Sequence, residues 1–183
     1  MAQLGFFYDM AACTGCKTCQ IACKDKNNLN VEVFFRKVHQ YEGGKFPNPW
    51  VYNLSLGCNH CAEPKCAKNC PTGALYKREK DGIVMHDVEK CIGCKLCTWS
   101  CPYGAPQYIE AKGKAGKCNF CVDLIDKGEQ PACVSACQMR VLEFGDIEEL
   151  RKKYGNTADI KSLPDSGITH PSLTIKPHKE AMK

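Results

Sequence analysis

The sequence contains no long hydrophobic run and no segment typical of a secretory leader. No apolar stretch approaches the roughly 18 residues that a membrane helix requires, so we expect a soluble chain that reaches a membrane only through a partner. Residues 1–7 have neither a basic region nor a long apolar core, which leaves no room for a cleaved signal peptide before Cys13. An activated nucleophile, a phosphate-binding loop and a flavin signature are also missing, so we expect no catalytic site in this chain.

Cysteine, in contrast, is abundant, because it accounts for 16 of the 183 residues. This frequency is close to the level at which cysteines rather than an apolar core determine a fold. Three explanations compete, namely a disulfide framework, structural zinc and iron–sulfur clusters. The disulfide explanation requires an oxidising compartment, which the missing leader does not favour.

The cysteines fall into four groups of four along the chain. The groups are Cys13, Cys16, Cys19 and Cys23; Cys58, Cys61, Cys66 and Cys70; Cys91, Cys94, Cys97 and Cys101; and Cys118, Cys121, Cys133 and Cys137. Groups one and three have the C-x2-C-x2-C-x3-C spacing of bacterial ferredoxins, whereas groups two and four widen the second gap but keep the final C-x3-C. Zinc sites usually join two C-x2-C pairs across a longer gap, so this crowding favours clusters over zinc. The sequence therefore predicts four [4Fe–4S] clusters that use every cysteine as a ligand.

The charge of the protein must include these clusters. The chain has 25 basic and 20 acidic residues, and its formal charge of +5 counts each cysteine as neutral. Four oxidised clusters would add about −8, which leaves the loaded protein at about −3. No basic block of the length typical of nucleic-acid binding is present, so we do not expect nucleic acid as a partner.

The order of the groups along the chain indicates how they pair. Asp81-Gly82 separates two strand-like runs, Ala74–Arg78 and Ile83–Asp87, and Asp-Gly is a strong hairpin signal. Groups two and three, with this hairpin between them, have the layout of a two-cluster bacterial ferredoxin. Groups one and four flank that unit. The apolar runs Leu4–Tyr8 and Val141–Phe144 are therefore predicted to pair as the closing strands of a second unit.

The predicted fold class is α+β, with two nested bacterial-ferredoxin-like modules organised around four [4Fe–4S] clusters. The outer module is discontinuous, covers 1–57 and 102–154, and carries clusters A and B. The inner module covers 58–101 and carries clusters C and D. Residues 24–57 form an insertion with two strand-like runs. Residues 155–183 are expected to lie on a partner as an extended C-terminal arm, with disorder as the alternative.

The ligands are predicted to cross between paired groups. In two-cluster ferredoxins the fourth cysteine of one motif ligates the cluster of the other motif. This rule predicts the sets Cys13, Cys16, Cys19 and Cys137 for cluster A; Cys118, Cys121, Cys133 and Cys23 for cluster B; Cys58, Cys61, Cys66 and Cys101 for cluster C; and Cys91, Cys94, Cys97 and Cys70 for cluster D. The alternative is that each cluster takes all four ligands from one group.

Several other residues have supporting roles in this interpretation. Gly15 and Gly93 lie inside ligand loops, where the backbone approaches a cluster closely and a positive φ is expected. His60 is expected either to hydrogen-bond a cluster sulfur or to face solvent. Trp99 is expected to shield cluster D from water. Asp146 is expected to cap a short helix over 146–154.

Stretches beyond the cysteine frame carry a family resemblance. They include Cys70-Pro-Thr-Gly-Ala74, Cys101-Pro-Tyr-Gly-Ala-Pro-Gln-Tyr108 and Glu149-Leu-Arg-Lys-Lys-Tyr-Gly155. With these stretches the chain resembles the iron–sulfur subunits of dimethyl sulfoxide reductase, within the wider family of four-cluster subunits of molybdenum and tungsten oxidoreductases. Gln138 departs from the family pattern, because members often have proline there. Some relatives replace the second cysteine of group three and hold a [3Fe–4S] cluster, but Cys94 is present here, so that variant is not expected.

The resemblance implies more than the spacing does. Members of the family form a complex with a catalytic subunit that carries a bis-pterin molybdenum or tungsten centre, and a membrane subunit that exchanges electrons with quinol often completes it. The four clusters then form a chain, with A nearest the catalytic subunit and D nearest the quinone side. The catalytic subunit often carries a twin-arginine export signal, which implies a site outside the cytoplasm for a chain without its own leader. A free polyferredoxin carrier in the cytoplasm is the alternative.

Overall fold

The computed structural model describes residues 2–183 as short helices and strands joined by loops. The strands are β1 (Leu4–Asp9), β2 (Arg36–Gly43), β3 (Trp50–Gly57), β4 (Leu75–Lys77), β5 (Val84–His86), β6 (Gln107–Ile109), β7 (Lys114–Gly116), β8 (Leu142–Asp146) and β9 (Leu173–Lys176). The helices are α1 (Thr18–Lys26), α2 (Lys65–Lys68), α3 (Leu96–Ser100), α4 (Val122–Ile125), α5 (Ala132–Ser135) and α6 (Ile147–Tyr154). In this described part of the chain, no helix has the length and apolarity needed to cross a membrane. The mixture of short helices and strands is the α+β composition predicted from the sequence.

Strand β1 is the centre of a three-stranded sheet with the order β8–β1–β9. It pairs antiparallel with β8, which places Phe6 opposite Phe144. Four consecutive β1 residues, from Gly5 to Tyr8, are buried, because the sheet is covered on both of its faces. The observed register confirms the prediction that the apolar runs Leu4–Tyr8 and Val141–Phe144 pair with each other.

Two-stranded hairpins make up the rest of the sheet structure. In the β4–β5 hairpin Leu75 lies opposite His86, which confirms the turn predicted at Asp81-Gly82. The β2–β3 hairpin occupies the 24–57 insertion, as its two strand-like runs predicted. A third hairpin, β6–β7, forms in a segment that the sequence did not identify as a strand pair.

Helix α6 continues directly from β8 and packs on the central sheet. The Asp146 carboxylate accepts hydrogen bonds from the backbone N–H groups of Glu148 (3.0 Å) and Glu149 (3.3 Å), which confirms the predicted cap. Near the end of the helix, the Tyr154 ring stacks on Phe7 of β1 with ring centroids 3.7 Å apart. The cap fixes where the helix begins, and the stacking attaches its C-terminal end to the central strand.

The C-terminal segment 155–183 does not form the extended partner-bound arm predicted from the sequence. Its residues 173–176 form β9, which pairs parallel with β1 and places Phe7 opposite Thr174. Ile160 and Ile175 are almost completely buried. The prediction was wrong because the prolines and the scarcity of aromatic residues suggested an unpacked tail, whereas the aliphatic side chains of this segment enter the main core.

The main apolar core surrounds β1 and contains cysteines as well as hydrocarbon side chains. Cys19, Cys133 and Cys137 belong to it, together with Phe6 and Phe120, whose rings stack at 4.2 Å. Ligand loops and core residues thus share one interior. Packing of β1 therefore positions the cysteines.

We expect that Ile175→Ala destabilises the loaded protein, because it leaves a cavity in the core beneath β9. Such truncations cost about 2–5 kcal/mol when the site is fully buried. The measurement is the midpoint of thermal unfolding under anaerobic conditions. The matched control is Ile168→Ala in the same segment, where the side chain is 45% exposed and a change within about 0.5 kcal/mol is expected. Equal effects of the two substitutions would show that the tail is not part of the core.

Candidate iron–sulfur sites

The ligand loops of groups one and three have the same backbone conformation. Gly15 and Gly93 have φ of 72° and 70°, which confirms the positive φ predicted for both. Lys17 and Lys95 both have φ of 62° immediately before α1 and α3. A positive φ is uncommon for a residue with a side chain, so its recurrence at matching positions identifies one loop built twice.

Space as well as conformation requires glycine in these loops. A Cβ added at Gly15 would collide with the side chain of Asn53, and one added at Gly93 would collide with the carbonyl oxygen of Gly113. The Asn53 amide also donates to the carbonyl of Cys13 at 3.1 Å. The β2–β3 insertion thereby supports the first ligand loop from outside.

One cavity brings together three cysteines of group one and one cysteine of group four. It is lined by Cys13, Cys16, Cys19 and Cys137 and contains about 330 Å³ free of protein atoms, part of it open to solvent. Ser55 of β3 also lines the cavity, and its hydroxyl lies 3.3 Å from the sulfur of Cys19. The thiols that meet here are those predicted for cluster A.

Two further cavities, each also with about 330 Å³ free of protein atoms, repeat this arrangement with groups two and three. Their cysteines are Cys58, Cys61, Cys66 and Cys101 in one cavity, and Cys91, Cys94, Cys97 and Cys70 in the other. In each cavity the fourth cysteine comes from the neighbouring group. These are the sets predicted for clusters C and D.

The remaining four cysteines are close enough to influence one another electrostatically. Burial and then the charge of Cys133 raise the pKa of Cys23 to about 12, and Cys121 adds to this effect. Burial and then the charge of Cys23 raise the pKa of Cys118 well above its ordinary value. The four thiols predicted for cluster B therefore share one buried region. Deprotonation of such thiols becomes favourable when a metal centre supplies positive charge.

Hydrogen-bond donors point at several of these sulfurs. The backbone N–H groups of Gly15 and Phe120 donate to the sulfurs of Cys13 (3.4 Å) and Cys118 (3.3 Å). The Thr18 hydroxyl donates to Cys16 at 3.3 Å and lowers the pKa of that thiol. Hydrogen bonds to cluster sulfurs are one of the means by which a protein sets a reduction potential.

The donor set also fits an iron–sulfur cluster at the cavity of group two. Asn59 lines this cavity, and its side-chain N–H2 is buried without a hydrogen-bond partner among residues 2–183. His60 is completely buried, which excludes the solvent-facing role that the sequence left open. Its Nδ1 accepts from the backbone N–H of Val84 at 3.1 Å, and its Nε2 has no partner in the described residues. Sulfide and thiolate acceptors of a bound cluster would suit the Asn59 donor.

Two buried cations near the thiols were missed by sequence reasoning. Arg36 and Lys117 are each only 5% exposed. Charged residues are normally solvated, so no pattern in the sequence distinguishes these two from the other basic residues. Their burial is consistent with anionic clusters nearby, because a buried charge requires a compensating charge.

Two ligand loops reach the surface. Cys16 and Cys94 are exposed, whereas the other cysteines are partly or fully buried. Trp99 is 76% exposed and does not cover the cavity of group three, so the predicted shielding role was wrong. Its position two residues after Cys97 in α3 points the indole away from the side of the helix that carries that cysteine.

Comparison with protein families supports the chemistry of these sites. Residues 50–147, more than half of the chain, match the family model described as a 4Fe-4S dicluster domain. The protein belongs to the 4Fe-4S dicluster family. Residues 10–26 match a second model, described as a 4Fe-4S binding domain. The cofactors are therefore [4Fe–4S] clusters, and sixteen cysteines match the ligand number of four.

Proteins similar to this chain include subunits of several reductases. The protein is 49% identical to the B subunit of the anaerobic dimethyl sulfoxide reductase of Escherichia coli, over 96% of this chain and 89% of that subunit. It is 47% identical to the corresponding subunit from Haemophilus influenzae, over 99% and 92%. It is 36% identical to the B subunit of the polysulfide reductase of Wolinella succinogenes, over 97% and 95%. The protein is an iron–sulfur electron-transfer subunit of such a complex and not its catalytic subunit.

We expect about sixteen irons and about sixteen acid-labile sulfides per chain, because each [4Fe–4S] cluster contributes four of each. The measurement is colorimetric iron and sulfide analysis of protein prepared anaerobically. Eight irons or fewer in intact protein would contradict the four-cluster composition.

Proposed function

We propose that the cysteines hold four [4Fe–4S] clusters in the crossed arrangement. The ligands are Cys13, Cys16, Cys19 and Cys137 for A; Cys118, Cys121, Cys133 and Cys23 for B; Cys58, Cys61, Cys66 and Cys101 for C; and Cys91, Cys94, Cys97 and Cys70 for D. The observation that carries this assignment is that three cavities each join three cysteines of one group with the fourth of another. The same pairing supports an inner module over 58–101 nested in an outer module over 1–57 and 102–154.

The proposed order of the clusters is A, B, C and D. After burial, which is the largest effect, Cys133 of B contributes to the raised pKa of Cys19 of A. In the same way Cys58 of C contributes to the raised pKa of Cys118 of B. Cys66 of C and Cys97 of D belong to one buried apolar cluster. Each set is therefore next to the following one, as a relay of single electrons requires.

We infer that the ends of this series are the contact points for redox partners. Each end carries one exposed ligand, Cys16 for A and Cys94 for D. Electron-transfer rates fall steeply with distance, so partners must approach the clusters whose ligands reach the surface. Exposure does not distinguish the two ends. The family resemblance assigns A to a molybdenum- or tungsten-pterin catalytic subunit and D to a quinol-linked membrane subunit or another redox partner.

The surface around D supports a partner at that end. Two apolar side chains that line the cavity of the D ligands, Ile92 and Leu96, are exposed there. Apolar side chains grouped on a surface mark interaction sites more often than free surface. A free carrier that meets many partners briefly has no need of such a group.

We expect the native protein to elute from a sizing column in a stoichiometric complex with a large pterin-binding chain. The measurement is purification from detergent-solubilised membranes, followed by metal analysis for molybdenum and tungsten. The same experiment identifies the third subunit if a membrane protein elutes with the pair. Elution of this subunit alone, with its clusters intact, would instead support a free polyferredoxin carrier.

We expect Cys137→Ser to perturb cluster A, because it replaces the fourth thiolate of the Cys13, Cys16 and Cys19 set with a harder oxygen ligand. Cluster A should lose an iron or change its reduction potential, while B, C and D keep four thiolates each. The measurement is electron paramagnetic resonance combined with redox titration.

The matched control for that variant is Cys23→Ser, which should perturb B and leave A unchanged. Each substitution replaces one ligand sulfur by oxygen in the same module, so the two variants differ only in the cluster that is affected. Loss of B in the Cys137→Ser variant would show that groups one and four do not exchange ligands and that the nested arrangement is incorrect.

A further inference from the structure

Arg36 and Lys117 are buried in the protein without a carboxylate partner. Each is 5% exposed. The ion pairs found among residues 2–183 all involve other basic residues. Burial of an unpaired cation is unfavourable unless an anion lies close to it. The negative charge that lies next to these two cations is that of the cysteine thiolates proposed above as cluster ligands.

Arg36 lies between the ligands of clusters A and B. Its Nη1 donates to the carbonyl and the hydroxyl oxygens of Ser55, both at 3.2 Å, and that hydroxyl lies 3.3 Å from the sulfur of Cys19, an A ligand. Burial opposes the charged form of Arg36. The thiolates of Cys133, Cys19 and two further B ligands outweigh that effect and raise its pKa. The guanidinium therefore interacts with the negative charge of the A ligands and of the B ligands.

Lys117 lies between the ligands of clusters B and C. Its ammonium donates to the carbonyl oxygen of Cys118, a B ligand, and to the carbonyl oxygen of Val84, which lines the cavity of the C ligands. Its charge opposes the burial that raises the pKa of Cys66 in the C set and of Cys118 in the B set. One lysine thus acts on two neighbouring sets.

The packing between the C and D ligands has a different character. Cys66 and Cys97 share an apolar cluster with Leu75, Val84 and Ala115. The A–B and B–C junctions therefore each contain a buried cation, whereas the C–D junction is packed with apolar side chains and touches Lys117 only through the carbonyl of Val84.

We propose that Arg36 and Lys117 set the reduction potentials of the clusters on either side of them. Reduction adds one negative charge to a cluster, and a nearby cation in a poorly solvated interior stabilises that charge more than water at the surface does. Arg36 then raises the potentials of A and B, and Lys117 raises those of B and C. Cluster B is influenced by both cations. Cluster D is not influenced by Arg36 and is influenced less than C by Lys117, since burial and then the charge of Lys117 lower the pKa of His86, which lines the cavity of the D ligands. This inference rests on the crossed ligand sets proposed above.

The test uses neutral variants that keep a hydrogen-bond donor, namely Arg36→Gln and Lys117→Gln, in the complete complex. Midpoint potentials are measured by redox titration followed with electron paramagnetic resonance, after iron analysis has established full loading. We expect more negative potentials for A and B in Arg36→Gln, and for B and C in Lys117→Gln. Cluster B should shift in both variants. Cluster D should shift less than C in Lys117→Gln and not at all in Arg36→Gln.

Matched controls separate charge from structure. Lys37 and Lys112 are exposed lysines close in sequence to the two buried cations, so Lys37→Gln and Lys112→Gln remove the same charge from solvent and should leave all four potentials unchanged. The charge-retaining variants Arg36→Lys and Lys117→Arg should have midpoint potentials close to those of the unsubstituted protein. If the two residues had only a structural role, potentials would not depend on charge in variants that are fully loaded with iron.

Two outcomes would overturn the inference. Neutral variants with full iron content and unchanged potentials would show that the cations only fill space, and a uniform shift of all four clusters would show that their effect is not local. If a glutamine variant fails to load iron, the methionine variants Arg36→Met and Lys117→Met provide the neutral side chain instead. The Cys137→Ser and Cys23→Ser variants assign the A and B signals independently, so failure of the ligand assignment is distinguishable from failure of this inference.

Discussion

The concentration of negative charge inside a small interior is the constraint on which the rest of the structure depends. Four oxidised clusters and their thiolates bring about −8 into a chain whose remaining formal charge is +5. Burial of that charge in a core made only of hydrocarbon side chains would cost a large amount of free energy. The fold instead mixes cysteines with hydrocarbon side chains, directs backbone N–H groups at sulfurs, and buries Arg36 and Lys117 beside the ligands. The same interior residues therefore both pack the core and compensate the negative charge of the ligands.

Features that depend on short-range sequence could be predicted. The cysteine spacing identified the cofactor, because a ligand loop is a local structure whose glycines and cysteines occupy fixed positions. The Asp81-Gly82 turn and the Asp146 cap were predictable for the same reason. The pairing of β1 with β8 was predictable from the order of the cysteine groups, since these apolar runs flank groups one and four at the two ends of the cysteine frame.

Features that depend on long-range packing could not be predicted. The tail segment Leu173–Lys176 is short, and its parallel pairing with β1 joins residues from the two halves of the chain. The segment before Cys118 consists of Lys, Gly and Ala, which are uncommon in strands, yet Ala115 is buried there and β7 forms. The burial of Arg36 and the exposure of Trp99 both reverse the usual preference of their residue types, and both follow from neighbours that are distant in sequence.

The parallel pairing of β9 with β1 also has a consequence for biosynthesis. The cysteines that line the cavities of groups two and three all lie between Cys58 and Cys101, so those cavities are complete in their ligands once that stretch has left the ribosome. The cavity lined by Cys13 lacks its fourth cysteine until Cys137 has been translated. The central sheet beside it lacks β9 until Leu173–Lys176 has been translated. The first loop to be translated is thus among the last to be closed, and until then it offers three unprotected thiols to the machinery that delivers iron and sulfur.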